Sequence, residues 1–76
     1  MSADLVRLAV TDTVAGQPCV VSMSHARELW DEVTEQDREQ LRLIARYRFA
    51  NWVRNEYGIT LSEEHLDALP VAAYMA

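Results

Sequence analysis

Over residues 4–12 apolar and polar positions alternate. Val6, Leu8 and Val10 share one side; Leu5, Arg7, Ala9 and Thr11 share the other. A period of two marks a strand with one buried face. Cys19 to Met23 is a second short apolar run, β-branched at Val20 and Val21. Between them Asp12 to Pro18 reads as a turn: Gly16 is free to take positive φ, and Pro18 cannot donate to a ladder. The two runs predict a hairpin over residues 4–23. Its loop would hold about six residues, more than the tight two-residue turns. The competing reading is a helix at 3–10, because Leu5, Leu8 and Ala9 also fit helical spacing.

After Met23 the period lengthens. Ser24 is placed to cap a helix over residues 24–33, with Leu29, Trp30 and Val33 as its apolar stripe. Thr34-Glu35-Gln36-Asp37 resembles a capping box with Asp in the reciprocal position, so a new helix is predicted over 35–57. It stops at Gly58, a residue type suited to the left-handed C′ position. Ser62 predicts a third, short helix over 62–69. Leu61 and Leu66 are placed there as a hydrophobic staple, and Glu63 and Glu64 fall in its first turn. Pro70 ends it. The tail at 70–76 is uncharged and apolar, and is expected to dock. The fold class is therefore α+β: one small domain with an N-terminal β-hairpin, three helices and one long central helix. An all-α arrangement is the alternative.

The long helix carries the strongest signal. At about 100° per residue, Leu41, Ala45 and Trp52 fall in one stripe, with Ile44 on one flank and Phe49 and Val53 on the other. That stripe is the expected core face. Leu43, Tyr47, Ala50 and Tyr57 form a second apolar-aromatic patch on the far side, and Arg38, Arg42 and Arg46 form a row between the two. A helix apolar on two sides needs cover on two sides. In 76 residues the hairpin, third helix and tail are the only internal cover. Tyr47, Trp52 and Tyr57, with Arg42 and Arg46, are accordingly the candidate interface residues, since Tyr, Trp and Arg dominate interface energetics.

Charge sharpens this picture. Residues 1–37 carry seven acids and two arginines, a net −5. Residues 38–54 carry five arginines and Glu39, a net +4. Residues 55–76 carry four acids and no base, a net −4. A basic helix sits between acidic flanks, which implies internal pairing or a face for an acidic or anionic partner. The overall −5 argues against general affinity for DNA. All seven bases are arginine, and the absence of lysine suggests a GC-rich bacterial or phage origin.

Catalytic and metal chemistry find little support. His25 with Glu28, and His65 with Glu64 and Asp67, lack the spacing of a zinc motif. Cys19 stands in an apolar run and fits a buried structural thiol better than a nucleophile. Only Gly16 and Gly58 are glycine, too few for a phosphate cradle. No apolar stretch reaches the roughly 20 residues of a membrane span. Met1-Ser2-Ala3-Asp4 lacks the flank and apolar run of a signal peptide, so the cytoplasm is the expected setting. The expectation is a non-enzymatic protein without cofactor or metal. It would bind a protein partner stoichiometrically, as an inhibitor or accessory regulator of phage type, and form a homodimer. Glu63 and Glu64 are candidates to compete for a basic groove on the target. The alternative is a nucleic-acid-associated regulator using the Arg row.

Overall fold

The computed structural model describes residues 4–75. Met1 to Ala3, three of the four residues read for a signal peptide, and Ala76 at the end of the tail lie outside the described residues. Strand β1 (Leu5–Val14) pairs antiparallel with β2 (Gln17–Ala26) from Leu5↔Ala26 to Val14↔Gln17. The loop is Ala15-Gly16 alone, two residues instead of six. Both have positive φ, 50° and 77°, as a type I′ hairpin turn requires. The longer ladder follows from Val14, which extends the Val6-Leu8-Val10 alternation into the core. Asp12 interrupts that alternation in the sequence. Pro18 stands opposite Thr13 on an edge strand, where a missing donor is tolerated.

Ser24 does not cap a helix. It remains in β2 opposite Arg7, and its Oγ lies 3.5 Å from Arg7 Nε. Helix α1 (Arg27–Glu32) starts three residues later from Ala26, with no side-chain cap. The Arg27 N–H donates to the Asp4 carbonyl at 3.1 Å, so sheet pairing prevails over a local cap at this junction.

The remaining helix boundaries follow their caps. Helix α2 spans Glu35–Tyr57; Thr34 Oγ1 accepts from the Asp37 N–H at 3.2 Å. Gly58 closes it at φ 70° and donates to the Arg54 carbonyl. Helix α3 spans Glu63–Ala68, capped by Ser62 Oγ, which accepts from the main-chain N–H of His65 at 3.1 Å. The tail is strand β3 (Val71–Met75), paired antiparallel with β1 from Val10↔Val71 to Val6↔Met75. The hairpin thereby becomes a three-stranded sheet of order β2-β1-β3. The fold is α+β, and the all-α alternative is set aside.

Helix α2 covers one face of this sheet. Its 23 residues make about 34 Å of helix, close to the roughly 33 Å of a ten-residue strand. Val6, Leu8, Val10 and Val14 meet Ala45, Phe49 and Val53, with Cys19, Trp30, Leu66 and Leu69 completing one cluster. The core stripe is centred on Phe49, not on the expected Leu41-Ala45-Trp52 line. Leu41 and Trp52 are half-buried at its margin, and Ile44 is 46% exposed. The stripe is shifted because the column beside it belongs to the part-buried stems of Arg38, Arg42 and Arg46, which cover apolar surface while their heads find polar partners.

Candidate interaction surface

Those arginine heads are engaged within the chain. Arg38 donates from Nε and Nη2 to the Trp30 carbonyl at 3.1 and 3.0 Å, and its guanidinium stands 5.0 Å from the Trp30 ring centroid. Arg42 Nη1 contacts Glu35 at 2.8 Å and Glu39 at 2.9 Å. Arg46 donates from Nε to the Leu69 carbonyl at 3.0 Å, and its Nη1 lies 3.4 Å from Glu39. Hydrogen bonds from Arg42 first, then Arg46, hold the Glu39 carboxyl below its ordinary pKa. The hydrogen bonds that Arg42 donates to Glu35 and Glu39 raise its own pKa in turn. Arg48 and Arg54 are the exposed bases of this helix.

The three aromatic candidates occupy two places. Tyr47 is rotated about 160° from Phe49 around the helix axis and is 53% exposed. Ile44, one turn earlier, is exposed beside it. Trp52 and Tyr57 form an edge-to-face pair near the end of α2, with centroids 5.8 Å apart, and Trp52 also leans on Phe49 at 6.3 Å. The Tyr57 hydroxyl lies 3.6 Å from the sulfur of buried Cys19. That contact, ahead of desolvation and the Glu56 charge, pushes the phenol above its ordinary pKa. Tyr57 thus ties the helix end to β2 while Tyr47 projects outward.

Glu63 and Glu64 are exposed on the first turn of α3. His65 turns away from Glu64 and Asp67 toward the sheet, with Nε2 2.5 Å from Asp12 Oδ2. Among the described residues no three His, Cys, Asp or Glu side chains converge as metal ligands. Among the same residues no helix is long and apolar enough to cross a membrane. Other large apolar side chains are exposed as well: Val20 on β2, Tyr74 and Met75 on β3, and Leu29, which does not join Trp30 in the buried stripe expected of α1. For Tyr74 and Met75 the available signal was the uncharged run Val71 to Met75, which has strand character when a paired edge is within reach.

No family model, curated protein or solved structure matches this chain.

Proposed function

We propose that this protein acts by stoichiometric binding to a partner protein, as a small accessory or inhibitory factor of phage type directed at a host complex. The observation that carries this reading is the outward face of α2, where Tyr47 and Ile44 stand exposed. Aromatic anchors of this kind are typical centres of protein interfaces. The exposed acids Glu63 and Glu64 supply a second element, complementary to a basic groove on the target. The proposal includes self-association as a dimer and a cytoplasmic setting, in keeping with a single free thiol.

The nucleic-acid alternative rests on the Arg row. Arg38, Arg42 and Arg46 already contact main-chain oxygens and carboxylates of the chain itself, so fewer charges remain to release counterions from a phosphate backbone. That favours the protein-binding reading.

The test is affinity capture from the native host with wild type, Tyr47→Ala, and the double variant Glu63→Lys with Glu64→Lys. One defined protein recovered in equal amount by wild type, and lost or reduced with either variant, is the expected result. Capture of nothing, capture indifferent to both changes, or capture of nucleic acid with a steep salt dependence would overturn the proposal.

A further inference from the structure

The sheet has two edges, and they differ. The β2 edge contains Pro18 and has α1 packed against that strand. The β3 edge has neither. Val71 to Met75 contains no charge, no proline and no glycine, and Ala72 to Met75 are all exposed. Natural sheets guard their edges with charges, prolines, bulges or covering segments. This strand carries none of these devices along its own five residues.

The surface beside the edge is apolar as well. Arg46 reaches the Leu69 carbonyl, two residues before β3, so that flank of α2 faces the third strand. Leu43 and Ala50 are three and four residues from Arg46 and share the flank; both are half-buried, Ala50 against the core, so each offers only part of its side chain there. Tyr47 stands between them at its outer margin. On the sheet layer Ala73 and Met75, opposite Leu8 and Val6, continue the helix-facing side.

We infer that the β3 edge is the dimerisation surface, occupied by β3 of a second copy in antiparallel pairing. The inference rests on the self-association part of the proposed function and names its site. The strand is self-complementary about Ala73. With a two-fold axis there, Ala73 opposes Ala73 of the second copy, Ala72 opposes Tyr74, and Val71 opposes Met75. The bulky ring on the open face meets a methyl group, the axis holds the smallest pair, and no charge is buried. Side-chain pairs matched in this way are what stabilises adjoining strands. The product is a six-stranded sheet of order β2-β1-β3-β3-β1-β2, with the Leu43, Tyr47 and Ala50 flanks of the two α2 helices on the same side.

Size sets the expected strength. A five-residue strand is about 17 Å long, and a sheet layer plus a helix layer is about 20 Å deep. With side-chain relief this offers roughly 500 Å² per copy, about 1,000 Å² in the pair, the lower bound of a specific interface. The dimer is therefore one that dissociates on dilution.

The experiment is light scattering of the whole chain from about 1 µM to about 1 mM, on wild type, Ala73→Glu and Ala73→Arg. Ala73 is exposed in the subunit, so both changes leave the fold intact, checked by circular dichroism. Wild type should pass from monomer to dimer. Either variant alone should dimerise at least about tenfold more weakly, because like charges then face each other on the axis. The two variants mixed should recover the dimer. Hydrogen exchange on wild type supplies a reading independent of any substitution: amides within Val71 to Met75 should exchange more slowly at the high concentration. A wild type that stays monomeric overturns both the edge and self-association. A dimer untouched by either charge, with no slowing in β3, overturns the edge alone.

Discussion

Arg46 Nε donates to the carbonyl oxygen of Leu69 at 3.0 Å, a bond that spans 23 residues of chain. Leu69 is the C-cap of α3, where a helix leaves carbonyls without internal partners. A guanidinium at this end satisfies one of them and complements the negative pole. It also fixes the chain just before β3. Replacing Arg46 with Met keeps most of the stem and removes the donor. The expected loss is about 1.5–3 kcal/mol of unfolding free energy, the range for a hydrogen bond to a charged group. Arg46→Lys should recover only part, since an ammonium lacks the fork that reaches Leu69 and Glu39 together. Urea denaturation of the three proteins measures this, and equal midpoints would refute the role.

Arg38 does the same at the end of α1. Two of its nitrogens converge on the Trp30 carbonyl, and its Cζ stands over the Trp30 ring. Arg38→Lys keeps the charge but loses the paired donation, so a destabilisation of about 1–2 kcal/mol is expected. Because Trp30 is buried and Trp52 lies near the other end of α2, the emission change should come from Trp30. A red shift in Arg38→Ala that disappears when Trp30 is changed to Phe would confirm the assignment. A shift surviving that change would point to Trp52 and against the contact.

These two contacts show where sequence reasoning reaches and where it stops. Thr34, Gly58 and Ser62 announced their helix ends because capping is local: donor and acceptor lie within a few residues. The partners of Arg38 and Arg46 were illegible because Trp30 and Leu69 accept through main-chain oxygens, which every residue carries. The Arg row was visible as a pattern; that its heads turn inward was not. Ser24 misled because a sheet register set by distant residues took precedence over its capping tendency. The tail was legible as apolar and docked, but its identity as a strand depends on the free edge of β1, some 60 residues earlier by the pairing Val10↔Val71. The outward Tyr47 was readable from helical geometry alone, since it stands nearly opposite Phe49.

Glu39 gives a pH signature. Its carboxylate accepts from Arg42 and Arg46, which holds its pKa below the ordinary glutamate value in the folded state. A carboxyl depressed on folding stabilises above its unfolded pKa, and that contribution fades as pH falls through the lowered folded value. The loss should therefore begin below about pH 4.5, the ordinary value, and continue downward. Glu39→Gln removes the titrating group, so its melting temperature should fall less steeply with acid over that window. Melting curves across the acid range for both proteins decide the matter. Parallel profiles would mean that Glu39 is not among the groups linking protonation to unfolding.

The hairpin turn is the place where stability can be raised. Ala15 sits at φ 50°, the left-handed region that costs a residue with a Cβ about 1–2 kcal/mol. Asn tolerates this conformation far better, and Asn-Gly is the favoured pair for a type I′ turn. Ala15→Asn should stabilise by about 0.5–1 kcal/mol, which for a domain of this size raises the melting temperature by roughly 2–8 °C. Ala15→Gly relieves the same strain but adds freedom to the unfolded chain, so its gain should be smaller. Ala15→Val should go the other way, because a β-branched side chain is least at ease at positive φ. The order Asn, Gly, Ala, Val in thermal melts is the expected outcome. A melting temperature unchanged or lowered by Ala15→Asn would show that the strands are not closed by a two-residue turn at Ala15-Gly16.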